Sequence, residues 1–285
     1  MDPKRFVAAG EIKVLAKRHD IPDGSAFLQM DATLAPEAVF NQASWFLSDW
    51  ATDGKLYKHE SDELMMFIGG DYNDRENLNA EVVFQIENDR LILRETCMVF
   101  IPAGRAHGLI EIRGVKKPVL CTTYHYSAPV YEESPAVATE PEGKYADYHV
   151  EGDHPLDERN MPPEVAERML RLLWIDGRLI PGAPYLESLW FAKAGQNGPP
   201  SHVHGFDEII AFIGGDPDKP EDLQAYVEYD VGDYTVKSEK SVFVFVPTGV
   251  PHSPIRMPKL DSPLVHFSGG GKTGYDREFK PGEDG

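Results

Sequence analysis

Apolar residues along this chain fall in short runs rich in Val, Ile, Phe and Tyr, each cut off by Gly, Pro, Asn or Asp. Such spacing predicts strands joined by turns rather than helices. The runs Asn41 to Leu47, Tyr57 to Ile68, Ala80 to Ile86, Leu91 to Leu93, Cys97 to Ile101, Leu109-Ile110 and Val119 to Tyr126 read as one series of strands. A polar loop from Gly69 to Asn79 and the turn Glu87-Asn88-Asp89 lie among them. After Asp176-Gly177 a second series runs through Leu264 to Ser268. Pro162-Pro163 breaks the pattern and predicts a helix from Glu164 to Leu173, with proline in the first turn and Glu164 near the positive end of the helix dipole. Phe6 to Arg18 fits a short helix or an edge strand, and Ile21-Pro22-Asp23-Gly24 reads as a turn. The Pro-, Glu- and Tyr-rich connection from Ser127 to Pro163 is too long for a plain loop. It is expected to pack across both halves. The glycine-rich tail from Gly269 is expected to fray or to lie on a neighbour.

The two series are copies. A shift of 145 residues places His59 on His204, Glu63 on Glu208 and His107 on His252. The same shift superposes Phe67-Ile68-Gly69-Gly70-Asp71 on Phe212-Ile213-Gly214-Gly215-Asp216, Pro102-x-Gly104 on Pro247-x-Gly249, and Trp45-Phe46 on Trp190-Phe191. About a third of the positions from Tyr57 to His107 are identical, with no gap. The chain is therefore read as two tandem domains, 1–150 and 151–285.

The candidate chemistry sits in the repeated motifs. On one extended strand His202, His204 and Glu208 would share a face, and His252 follows the turn Pro247-Thr248-Gly249-Val250-Pro251. Three imidazoles and a carboxylate suit a first-row divalent ion and leave coordination positions open. A lone histidine on an apolar strand is usually a structural residue, but four donors at matched spacing are not. The first half carries Tyr57, His59, Glu63 and His107, with tyrosine in place of His202. That set fits either a second ion, with Tyr57 as ligand or hydrogen-bond donor, or a barrel that has become structural. His266, and less so His125, lie on late strands as candidate bases or donors to a ligand. Arg105, in the Pro-x-Gly-Arg-Ala-His turn, could pair with a substrate carboxylate or be a solvated turn residue. Trp45 and Trp190 read as core. Gly69-Gly70 and Gly214-Gly215 read as strand-end turns, because no Gly-Lys-Ser/Thr follows.

These residues resemble the cupins. The first cupin motif, H-x-H followed by E and then G, runs from His202 through Glu208 to Gly215, and the second, P-x-G-x-x-H, matches Pro247, Gly249 and His252. Two positions depart: Ser241 stands where a glycine is usual, and Arg256 where an asparagine is usual. The resemblance implies an all-β chain of two tandem antiparallel, jelly-roll-like cupin barrels, a bicupin, with the metal inside the barrel and pairing into a homodimer.

Composition narrows the partners. A formal net charge of −19 repels polyanions, so nucleic acid and anionic membranes are poor partners. No continuous apolar segment near the start suggests a signal peptide, and none reaches the length of a membrane span. A cytoplasmic protein is the default. Cys97 and Cys121, each in an apolar run, read as reduced core thiols, with a disulfide between adjacent strands as the alternative.

An ion held by three neutral imidazoles and one carboxylate favours small oxygen-rich chelating substrates: catechols, 1,2-diols, 2-hydroxy or 2-oxo acids, and dicarboxylates. With Fe, Mn, Ni or Cu it could activate dioxygen; as a Lewis acid, Zn included, it could serve decarboxylation, isomerisation or hydrolysis. The expectation is a metal-dependent enzyme with dioxygenase chemistry slightly ahead. A redox-inert isomerase or decarboxylase, or a non-catalytic ligand-binding bicupin, is the alternative.

Overall fold

A computed structural model describes residues 7–9, 16–152, 163–276 and 278–279. Its contacts form two compact units, one drawn from Ile12–Thr33 and Val39–Asp153, the other from Met1–Glu11, Leu34–Ala38 and His154–Gly285. Each unit is a pair of antiparallel sheets around its own apolar core.

In the first barrel one sheet runs His149–Glu151, Cys97–Ile101, Glu63–Gly69, Val119–Tyr124, Asn41–Phe46, Ala26–Met30. The other runs Ser134–Ala136, Leu56–Lys58, His107–Arg113, Asn77–Ile86, Asp89–Glu95, with Trp50–Ala51 also on His107–Arg113. The second barrel repeats the order. One sheet is Val7–Ala9, Val242–Val246, Glu208–Gly214, Leu264–Gly270, Tyr185–Phe191, Met169–Ile175. Its partner is Tyr234–Lys240, Asp222–Val231, His252–Leu260, His202–Val203, Glu278–Phe279, with Gly195–Asn197 on His252–Leu260.

Four expectations change. Of the helix expected over Glu164 to Leu173, only the turn Pro163–Ala166 forms, and Met169–Ile175, which overlaps its second half, is a strand paired with Tyr185–Phe191. A single helical turn is a costly nucleus, and pairing against a waiting sheet edge, which buries Leu172 to Ile175, outweighs it. The run Tyr57 to Ile68 is two strands: Leu56–Lys58 lies in one sheet, Glu63–Gly69 in the other, and the chain crosses between them. The described part of the long connection adds Ser134–Ala136 to one sheet of the first barrel and His149–Glu151 to the other; residues 153–162 lie outside the described residues. In the second barrel that last place is filled by Val7–Ala9, so this part of the N-terminal run is an edge strand; residues 10–15 lie outside the described residues. The described part of the tail is tied down, since Glu278–Phe279 pairs with His202–Val203.

The repeated Gly-Gly pairs are set by packing. A Cβ at Gly214 would fall 2.2 Å from the Asp222 carbonyl oxygen, and one at Gly215 would fall 2.6 Å from the Pro263 oxygen and 3.0 Å from the Trp190 ring. The first barrel has the same contacts, with Asn77, Pro118 and Trp45. Trp45 and Trp190 are core residues, as expected. Cys97 and Cys121 both sit opposite Phe67, on the strands to either side of it. Two strand spacings, about 9 to 10 Å, exceed the reach of a disulfide, and both thiols are free and buried. No helix among the described residues is long and apolar enough to cross a membrane.

Candidate metal centre

The turn that delivers the last histidine is built identically in both barrels. Gly249 has φ of 74°, a conformation side-chain-bearing residues rarely adopt, and its N–H bonds the His204 carbonyl at 3.0 Å. Asp207 braces the same turn by accepting from Thr248 N at 2.7 Å. In the first barrel Gly104 donates to the His59 carbonyl at 2.8 Å and Asp62 accepts from Ala103 N at 2.6 Å. The turn is thereby docked onto the first histidine pair, and His252 arrives opposite His202, as His107 does opposite Tyr57. Glu208 and Glu63 begin strands of the other sheet. The donors converge because the chain crosses between sheets, not because they share one strand face.

In the second barrel every imidazole is fixed in one tautomer. A carbonyl can only accept, so the Nδ1 atoms of His202, His204 and His252 carry hydrogens, donated to Pro200 at 2.8 Å, to Asp276, and to Val250 at 2.9 Å. Each Nε2 is left with a lone pair. Those of His202 and His204 face each other at 3.2 Å. Glu208 Oε2 lies 3.1 Å from His252 Nε2 and 3.6 Å from His204 Nε2. The first pair is not aligned as a hydrogen bond, and both atoms are buried and unsatisfied. The donors of His202, His204 and His252 lie within 4.8 Å of one another. Converging acceptors with no hydrogen between them fit a cation at their common focus. Burial pushes His202 down to about 4 and also lowers His204, so protons are poor occupants at neutral pH. Burial also opposes the charged form of His252, but the adjacent Glu208 carries its pKa upward.

In the first barrel His59, Glu63 and His107 form the matching cluster. Nδ1 of His59 donates to the Glu132 carbonyl at 2.6 Å and Nδ1 of His107 to Arg105 at 2.8 Å. Glu63 Oε2 lies 3.0 Å from His107 Nε2 and 3.4 Å from His59 Nε2. Burial lowers His59 to about 4. Burial opposes the Glu63 carboxylate, yet His125, His59 and His107 hold its pKa well below the usual range. Tyr57 holds the place of His202 in the register, and its ring stacks on His19 at 3.6 Å between centroids. A further imidazole lies beside the cluster: His125 Nε2 is 3.4 Å from Oε1, the other oxygen of Glu63. Arg18 Nη2 is 3.9 Å from the same oxygen, held by Asp20 through bonds of 2.9 and 2.6 Å. Arg18 was not singled out by sequence, because nothing in the repeat matches it.

Arg105 contributes its carbonyl; its guanidinium pairs with Glu140 at 2.8 Å and is partly exposed. Ser241 has its own task, tying Gly214 N at 3.0 Å to the Pro220 carbonyl at 2.7 Å. Arg256 forms a two-pronged pair with Asp230 at 2.6 and 2.7 Å.

A cavity of about 660 Å³ opens inside the second barrel beside His202, Glu208 and His252. His266 lines it, buried, with Nδ1 donating to the Ala211 carbonyl at 2.8 Å; burial lowers its pKa to about 4. It is therefore a neutral imidazole with an accepting Nε2. Tyr185 donates to Glu187 Oε2 at 3.3 Å and lies 3.3 Å from Ser268 Oγ. Arg171 Nε is 3.3 Å from Glu187 Oε1. These four polar lining residues escaped the sequence reading, because alternation on a strand marks an inward position without saying that it faces a void.

The segment after each barrel closes over its cluster. Tyr275 lines the cavity and Asp276 caps His204; Tyr131 packs 5.2 Å from His59, and Glu132 caps it. The pairings His202 with Phe279 and Tyr57 with Pro135 are equivalent. The repeat thus extends into the straps, with an offset of 144 instead of 145.

No family model matches the sequence, and no curated protein does. Among solved structures, a variant of Bacillus subtilis oxalate decarboxylase is similar at a TM-score of 0.58 and 12% identity, over 91% of this chain and 76% of that one. The formate complex of Lactobacillus farciminis oxalate decarboxylase gives 0.56 and 12%, over 91% and 85%. A further Bacillus subtilis oxalate decarboxylase structure, described by its Mn(II) centres, gives 0.56 and 11%, over 91% and 76%. At this identity the likeness is one of fold: the chain has the two-barrel cupin fold.

Proposed function

We propose that the chain is a metal-dependent enzyme that binds a divalent transition ion through His202, His204, Glu208 and His252 and acts on a small oxygen-rich chelating substrate. The observation that carries this reading is the approach of two imidazole lone pairs, His202 Nε2 and His204 Nε2 at 3.2 Å, beside an open cavity. For the reaction we favour loss of a carboxylate as carbon dioxide over the dioxygenase chemistry expected from sequence. Support comes from the decarboxylases that share the architecture, one of them described by its Mn(II) centres, and from the proton-holding groups of the cavity.

A bound divalent ion would supply a Lewis acid that draws charge from the chelating oxygens. Decarboxylation breaks the bond to the carboxylate carbon and leaves an electron pair that must take a proton. Tyr185 holds one: burial, with Glu187 close by, keeps its phenol protonated well above the usual range. His266, a neutral imidazole level with Leu189 and so farther along the cavity than the ligands, is placed to accept a hydrogen bond from the outer part of a bound substrate.

The test is to reconstitute the protein with manganese, count ions per chain, and follow carbon dioxide release and oxygen uptake on 2-oxo acids, 2-hydroxy acids and dicarboxylates. Carbon dioxide without matching oxygen uptake is expected. Oxygen uptake without carbon dioxide would restore the dioxygenase reading, and failure of His204→Ala to lose an ion would remove the metal centre.

A further inference from the structure

Resting on that reading of the second-barrel centre, we infer that the substrate is a monoanionic chelator with an apolar body, a 2-oxo or 2-hydroxy acid bearing an aryl or branched alkyl group, and not a small dicarboxylate. Three observations carry this. The first is size. The cavity measures about 660 Å³, within the roughly 300–1,000 Å³ of pockets that enclose drug-sized ligands. An acid of two carbons displaces only a few waters, at roughly 30 Å³ each. It would leave most of the space to solvent.

The second is the order of the walls. Along Tyr185–Phe191 the lining residues are Tyr185, Glu187, Leu189 and Phe191, so polarity is lost from one end to the other. Tyr185 and Glu208 both pair with Gly270, which puts the polar end level with the metal ligands. Ile255 lines the cavity from the facing sheet. A chelating head therefore meets polar groups, and whatever extends from it meets Leu189, Phe191 and Ile255, with His266 and Arg171, the latter turned to Glu187, as the polar side chains level with Leu189.

The third is charge. Imidazoles that ligate an ion are neutral, and Glu187 is balanced by Arg171 at 3.3 Å. A divalent ion against Glu208 leaves one net positive charge. One carboxylate neutralises it; a second would be a buried, uncompensated anion, which is costly.

The test is calorimetric titration of the manganese-loaded protein with oxalate, pyruvate and phenylpyruvate, with bound manganese counted in the same samples. Phenylpyruvate should bind about tenfold or more tighter than pyruvate or oxalate, since its ring leaves water for the apolar wall. Ile255→Trp, which fills that wall, should reduce the advantage over pyruvate to about twofold or less. Should that variant fail to fold, Leu189→Ala should lower phenylpyruvate affinity about threefold or more relative to pyruvate. Equal affinities with the ion in place, or ratios that neither variant moves, overturn the inference while the metal centre stands. Protein that retains no manganese overturns both.

Discussion

His125 brings its Nε2 to 3.4 Å from Glu63 Oε1 from a position that is Gly270 in the second barrel. An imidazole that could replace the one missing at Tyr57 thus approaches Glu63 from a different strand end. Both oxygens of Glu63 and Nε2 of His125 are buried without hydrogen-bond partners, the same signature as in the second barrel. We expect about two ions per chain on reconstitution, as two such donor sets would hold. His125→Ala should lose the first-barrel ion and Tyr57→Phe should keep it. Elemental analysis of the two variants decides the matter, and the reverse pattern would make Tyr57 the ligand.

Each strap fixes the tautomer of one histidine, His204 in the second barrel and His59 in the first. Asp276 accepts the hydrogen of His204 Nδ1 through its carbonyl, and its side chain accepts from Gly205 N at 3.3 Å and Lys272 Nζ at 2.9 Å. Ending the chain after Gly271 should weaken metal binding in the second barrel by about 10- to 100-fold, the usual cost of losing a partner behind a ligand. The first barrel, strapped by Glu132, should be unaffected. Competition with a chelating dye reads both sites, and unchanged affinity in the truncated protein would mean that the strap does not hold His204.

The legible part of the molecule was the part that repeats. His59, Glu63, His107, His204, Glu208 and His252 lie on one unbroken shift, so their clustering followed from the duplication. The helix over Glu164 to Leu173 did not, because Pro-Pro-Glu marks a helix start but cannot tell how soon a sheet edge takes over at Met169. From sequence His125 reads only as a base or an outer donor, since its counterpart Gly270 offers no donor to compare. The straps were missed because a one-residue change of offset hides Tyr131-Glu132 behind Tyr275-Asp276.

His266 should make the metal-free protein sensitive to acid. Burial lowers its pKa to about 4 in the fold, against about 6.5 for an unfolded chain. Between these values the unfolded chain binds the extra proton and the fold does not, so stability is fully present above about 6.5 and is lost as pH falls toward 4. The loss is on the order of 2–3 kcal/mol. His59 and His202, also lowered to about 4, act in the same direction. Urea unfolding at pH 7 and pH 4.5 should show a smaller loss for His266→Phe, whose ring would sit between Phe191 and Phe212. Equal losses in the two proteins would show that His266 titrates normally.

The two barrels should also be interconvertible. His202→Tyr copies the first-barrel residue into a barrel with nothing to replace the imidazole, and should cost roughly a hundredfold or more in metal affinity. The replacement is blocked at Gly270, where a Cβ would fall 2.1 Å from the Phe206 ring. Phe206 aligns with Ser61, the residue whose hydroxyl lies 3.0 Å from His125 Nδ1. The backbone at Gly270 lies outside the left-handed region, so once the ring is gone a side chain needs only a shift of a few tenths of an ångström from the Asp207 carbonyl oxygen, 3.0 Å from the Cβ position. Adding Phe206→Ser and Gly270→His to His202→Tyr should therefore restore much of the lost affinity with the first-barrel ligand arrangement. Gly270→His alone should unfold or distort the barrel. A triple variant that binds cobalt no better than His202→Tyr, while keeping the wild-type circular dichroism, would show that the two ligand sets are not equivalent ways of surrounding one ion.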